Sequence, residues 1–122
     1  MSVQLDHTIV SARDRGEAAT FLADILGLAA PVEMGPFLMV QTANGVGLDF
    51  AQAHHDVTPQ HYAFHVGEAE FDEIFARIVE RDLAYWADPG QTRPGEVGHR
   101  GEDRGVYFED PSGHLLEILT RS

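Results

Sequence analysis

Two histidines, His7 and His61, stand 54 positions apart at the same point of two strand-like segments. Two carboxylates, Asp49 and Glu117, occupy matching points of two later segments, GVGLDF and GHLLEI. Strand side chains alternate in direction, so Glu117 shares a face with Leu115 and Leu119. A carboxylate on such an apolar face is costly unless a cation partners it. Two neutral imidazoles with one or two carboxylates form a borderline-to-hard donor set that suits Zn, Mn, Ni, Co or non-haem Fe(II). Three protein ligands would leave coordination positions open for substrate and water. His65 lies two residues beyond His61 on the same strand face. An imidazole there could serve as an acid or base near neutrality, or simply be a hydrogen-bonded core histidine.

Other chemistries are excluded by composition. There is no cysteine, so thiolate metal sites, cysteine nucleophiles and disulfides are absent. All eight basic residues are Arg, which rules out a lysine Schiff base. Twenty acidic residues leave a net charge of −12, a surface that repels phosphate backbones and anionic lipid. Neither nucleic acid nor membrane is therefore an expected partner. No apolar run approaches about 18 residues, and Asp6 stands where a signal peptide would carry basic charge. The expected compartment is the cytoplasm.

The elements that must position these residues repeat. Residues 3–12 alternate as a strand does, and Asp14 to Leu28 carries apolar side chains at helical spacing with Gly27 near its end. Short strands are expected around 31–34, at 36–42 and at 45–51, with Asn44-Gly45 as a tight-hairpin signal. The pattern restarts with a strand at 60–66, a helix from Glu68 to Leu83, and strands near 84–87, 104–109 and 114–120. Each half reads β-α-β-β-β, which places repeat one at about 3–51, a linker at about 52–58 and repeat two at about 59–121 of a single α+β domain. His54 and His55 fall in the linker, where a solvated role is expected. Residues 89–105 form the one long loop, rich in Gly, Pro and charge, a length that suits a lid or binding loop.

The segments LDHTIV, FLADILGL, HYAFHV and GVYFEDPSGHLLEILT resemble the vicinal oxygen chelate superfamily over nearly the whole chain. That superfamily includes glyoxalase I, extradiol dioxygenases, fosfomycin-resistance thiol transferases and bleomycin-resistance proteins. The resemblance implies paired βαβββ repeats forming a cup-shaped, eight-stranded mixed sheet. It implies metal ligation by His7, His61 and Glu117, with Asp49 where four-ligand members place a second carboxylate. Asp49 is shorter than Glu, and its alternatives are a substrate-facing base or an inert polar residue. Tyr107 lies where fosfomycin-resistance members carry an active-site Tyr, its alternative being a half-buried aromatic. With Glu117 and His65, it completes the candidate catalytic set. His114 belongs to the DPSGH turn, where a structural role is expected.

In the loop, Arg93, His99, Arg100 and Arg104 could hold an anionic substrate group bidentately, or be solvated beside Glu96, Glu102 and Asp103. Trp86 could wall the same pocket, or simply belong to the core. The resemblance also implies a homodimer whose site lies at or near the subunit interface and binds a small molecule. Departures from the pattern narrow the reaction. Fosfomycin-type transferases carry Thr where this chain has Ile9, and a lysine that this chain lacks. Glyoxalase I has a longer first half and Glu at position 49. Extradiol dioxygenases usually carry two such modules, although one-module versions exist. A bleomycin-resistance-type protein would bind its ligand without metal, and generally lacks the three ligands retained here.

Overall fold

The computed structural model describes residues 2–121, which divide between Thr58 and Pro59 into two compact units. In the first unit the order is β1 (His7–Ala12), α1 (Arg15–Leu26), β2 (Val32–Met34), β3 (Phe37–Gln41) and β4 (Gly47–Gln52). Helix α1 starts where Asp14 Oδ1 accepts from the Glu17 N–H at 3.0 Å. It stops where Gly27 adopts φ 71° and the Leu28 N–H returns to the Ala23 carbonyl at 2.8 Å. The sheet runs β1-β4-β3-β2, with β1 parallel to β4 and the other neighbours antiparallel. Alternation divides its two faces. Val10, Ala12, Val40, Leu48 and Phe50 are buried, as are Ala19, Leu22 and Ile25 of α1, the helix that packs on this sheet. His7, Ile9, Met39 and Asp49 lie on the opposite face.

The expected strand at 3–12 begins only at His7, with Val3 and Leu5 exposed. Its partner explains the difference. β4 starts at Gly47, opposite His7, and the Gly47 N–H to the Asp6 carbonyl is the last ladder bond before the chain turns through Gly45 at φ 85°.

The second unit repeats the plan with one addition: β5 (His61–His65), α2 (Glu68–Glu80), β6 (Tyr85–Trp86), β7 (Gly98–Arg100), β8 (Asp103–Glu109) and β9 (Leu115–Leu119). The sheet runs β5-β9-β8-β6, with β5 parallel to β9 and β7 added along β8. Phe71, Ile74 and Ile78 of α2 are buried, as are Val106, Phe108, Leu116 and Ile118 of the sheet. Helix α2 ends three residues short of the expected Leu83, because Asp82 takes φ 55° and the Leu83 N–H turns back to the Ile78 carbonyl.

The described residues thus hold nine strands in two sheets, where eight strands in one sheet were expected. The ninth comes from the segment read as a loop. Asp88 accepts from the Thr92 N–H and hydroxyl and from the Arg93 N–H at 2.6–3.0 Å, closing one turn. Gly101, at φ 64°, closes the β7–β8 hairpin. Gly98 fits there because a Cβ would stand only 2.8 Å from the Ala87 carbonyl oxygen.

Arg104 ties β8 to α2. Its Nε and Nη2 donate to Glu68 Oε1 at 3.0 and 2.7 Å, and its Nη1 donates to Asp72 Oδ1 at 2.8 Å. The guanidinium lies 4.2 Å above the Phe71 ring centre. The hydrogen bond from Arg104, first, holds the Glu68 carboxyl below its ordinary range. A depressed carboxyl contributes stability above its unfolded pKa and loses it as pH falls through the folded one. Arg104→Ala should therefore lower Tm at pH 7, and thermal melts down a pH series should show the deficit shrinking in acid. A deficit that stays constant to pH 2 would assign it to the lost ring contact alone.

Candidate functional site

Sheet register places a row of side chains across the second unit. Trp86 on β6 pairs with Tyr107 on β8, which pairs with Glu117 on β9, which pairs with Ala63 on β5. Directly paired residues share a face, and His61 and His65 flank Ala63 on it. The neighbouring residues Leu116 and Ile118 point into the core, leaving Glu117 outward yet only 15% exposed.

Glu117 Oε1 lies 3.1 Å from His61 Nε2. The His61 and Tyr107 rings stand 5.8 Å apart, tilted by 48°. Burial, first, and then the charge and hydrogen bond of Glu117 push the Tyr107 phenol up to about 12. The phenol therefore keeps its proton at neutral pH and donates toward Glu117.

The His61–Glu117 pair also meets a metal's geometric demand. A nitrogen and an oxygen each about 2.0–2.2 Å from one ion stand about 3.0 Å apart at a right angle and about 3.4 Å apart at the tetrahedral angle. The structure offers this spacing between the ε-nitrogen and the carboxylate. Among the described residues, the partners of Glu117 are His61 and Tyr107. The donor types suit a divalent cation.

The first unit carries the equivalent half. Asp49 pairs with Ile9 and Met39, as Glu117 pairs with Ala63 and Tyr107. The phenol thus belongs to the second repeat alone, with Met39 in its place in the first. His7 Nδ1 lies 2.7 Å from Asp6 Oδ2. That hydrogen bond, then the charges of Asp49 and Asp6, raise the His7 pKa. An open groove of about 640 Å³ runs over this face, lined in part by Asp6, His7, Glu33, Phe37, Met39 and Asp49. Gly47 lines it beside His7, where a Cβ would come into ordinary contact with His7 Cβ at 3.4 Å and Asp49 Oδ1 at 3.6 Å.

The structure therefore brings His61 together with Glu117 and Tyr107 in one unit, and His7 with Asp6 in the other. Among the described residues, no three His, Asp or Glu side chains converge on one point. His65 lies opposite Leu119 on the same face as His61.

The loop residues separate. Arg104 and its pair His99 belong to the helix-side alternation of β8, with Val106 and Phe108. Arg104 is committed to Glu68 and Asp72, which takes its guanidinium away from the expected substrate role. Arg93 donates to Glu96 at 3.1 Å in the turn closed by Asp88. Arg100, opposite Asp103, keeps the alternation of Gly105 and Tyr107 and stays on the site face. His114 is fully buried, and its Nδ1 accepts from the Gln60 N–H at 2.9 Å, which anchors the residue before His61. Asp6 is not among the site residues expected from sequence, although its carboxylate stands next to a candidate ligand.

The family model for the glyoxalase/bleomycin resistance protein/dioxygenase superfamily matches residues 4–118. Among solved structures, the chain is similar to Oxidase ChaP-H1, with 61% identity, TM-score 0.97, and coverage of 99% of this chain and 98% of that one. Oxidase ChaP-H2 shows 57% identity and TM-score 0.96, covering 100% of this chain and 96% of that one. Among curated relatives, the glutathione transferase FosA of Serratia marcescens is 29% identical over 97% of this chain and 81% of its own length.

Proposed function

The chain belongs to the glyoxalase/bleomycin resistance protein/dioxygenase superfamily, and within it we propose a divalent-metal-dependent enzyme acting on a small molecule with two adjacent oxygens. The observation that carries this reading is the approach of His61 Nε2 to Glu117 Oε1 at 3.1 Å on an otherwise apolar strand face. His61 and Glu117 supply two ligands and His7 the third, with Asp49 the candidate fourth. When bound, such an ion supplies two-point chelation of the substrate oxygens and electrophilic stabilisation of an enolate or oxyanion. The ligand set is shared between two copies of the chain in a homodimer.

The reaction is of the oxidase type, with dioxygen as oxidant. Identity of 61% to Oxidase ChaP-H1 over nearly the full length supports it. The relation to the thiol transferases is more distant, at 29%, and Ile9 and the lack of lysine depart from their pattern. Within the site, Tyr107 holds a proton at Oη and orients the Glu117 carboxylate. Trp86, beside Tyr107, forms a flat apolar wall. His65 is the acid or base nearest the row, and Arg100 offers a guanidinium to an anionic substrate group.

Oxygen uptake tests this reading. Protein loaded separately with Fe(II), Mn, Ni, Co or Zn should consume dioxygen with a substrate from a panel of small molecules that carry two adjacent oxygens. Tyr107→Phe should retain the metal and lose about 100-fold in kcat, within the range for a positioned proton donor. Thiol addition to fosfomycin without oxygen uptake would favour a transferase. Tight ligand binding without metal would favour a sequestering protein.

A further inference from the structure

Asp6 lies outside the strand, is largely exposed, and is placed by its backbone. The Gly47 N–H donates to the Asp6 carbonyl at 2.9 Å, as the Leu115 N–H does to the Gln60 carbonyl in the second repeat. The two positions are equivalent, but their side chains differ. Gln60 carries an amide, whereas Asp6 places a carboxylate oxygen 2.7 Å from His7 Nδ1. An ionised carboxylate accepts hydrogen bonds and donates none. At this distance the Nδ1 of His7 must carry the hydrogen, which leaves the lone pair of the neutral ring on Nε2.

In the second repeat the nitrogen nearest the site carboxylate is not Nδ1 but the other one. His61 turns its ε-nitrogen, not its δ-nitrogen, toward the Glu117 carboxylate. Metal-bound histidines commonly donate their other ring N–H to a carboxylate, which fixes the tautomer and raises ligand basicity. We propose that Asp6 is a positioning residue for the metal centre, holding His7 in the Nδ1–H tautomer so that Nε2 is presented as a ligand. The first repeat thereby has an orienting carboxylate built into the residue before its histidine. This inference rests on His7 as a metal ligand.

Two measurements test it, one of them without metal. In metal-free protein above the His7 titration range, nitrogen NMR should find the His7 proton on Nδ1. In Asp6→Ala that preference should be lost, and an unchanged tautomer would overturn the inference. In a chelator competition with Zn or Mn, Asp6→Ala should bind about 10-fold more weakly, at the lower end for such partners. Asp6→Asn, which keeps an acceptor oxygen, should recover part of the affinity. Glu33→Gln removes a charge from the same groove without touching His7 and should leave affinity within about twofold, which separates positioning from a general field effect. Adding Asp6→Ala to His7→Ala should change nothing further. Equal affinities for wild type and Asp6→Ala would overturn the inference alone. A wild type that binds neither metal would overturn the metal reading as well.

Discussion

Replacing Glu117 with Gln should weaken divalent-metal binding by more than about 100-fold, beyond the loss typical of an orienting partner, while leaving the fold intact. The amide keeps the volume and an oxygen but removes the charge opposite His61. Folding should not suffer, because Glu117 faces away from Leu116 and Ile118, the side chains that bury β9. Removing a half-buried charge should leave the metal-free protein as stable as wild type or slightly more so. In wild type, metal at 100 times its Kd should stabilise the fold by about 2.7 kcal/mol. That gain should vanish in the variant. Calorimetric titration paired with melts in the presence and absence of metal reads both effects. Undiminished affinity in Glu117→Gln would remove Glu117 from the ligand set.

The largest loss of stability should come from the turn before β9. Asp110 is buried, and its Oδ1 accepts from the Ser112 N–H at 2.9 Å and the His114 N–H at 2.8 Å. Asp110→Ala strands both donors, a cost of about 3 kcal/mol and, for a chain of this size, a fall of about 10 °C in Tm. Asp110→Asn retains the accepting oxygen and should cost less than about 1 kcal/mol. Burial, opposed by these N–H groups and by His114, raises the Asp110 pKa. A carboxyl raised in the folded state binds its proton more tightly there than when unfolded. Its ionisation therefore costs stability as pH rises past the unfolded pKa. The Asn variant escapes that cost, so its stability relative to wild type should improve between pH 3 and 7. Equal melting of wild type and Asp110→Ala would show that the turn is held by its backbone bonds alone.

Much of the fold was legible because its signals are local. Asp14 and Gly27 mark the ends of α1, Asn44-Gly45 marks the turn between β3 and β4, and alternation in LLEIL sets Glu117 on the face opposite Leu116 and Ile118. The internal repeat extended this to pairing. His7 and His61 head parallel edge strands, and Asp49 and Glu117 sit at matching register. Residues 89–105, expected as one long loop, carry a short strand that composition does not announce. Asp88 collects three donors there, and β7 finds its partner in β8. Arg104 falls at the overlap of the expected loop and the expected strand at 104–109, and sequence cannot show which face of that strand it takes or that Glu68 and Asp72 wait there. Asp6 was missed for a different reason. It is adjacent to His7 in sequence, but neighbours on a strand point apart; only the structure, where the Gly47 N–H holds the Asp6 carbonyl, shows the carboxylate turned onto His7 Nδ1.

The central claim is that His7, His61 and Glu117 hold one functional ion, and metal content per chain tests it most directly. Untagged protein should carry about one divalent ion per chain, as purified or after loading with Fe(II), Mn, Ni, Co or Zn. Replacing His7, His61 and Glu117 together with Ala should abolish it without unfolding the protein. A wild type that stays metal-free under every loading condition, or a triple variant that keeps its ion, would contradict the assignment.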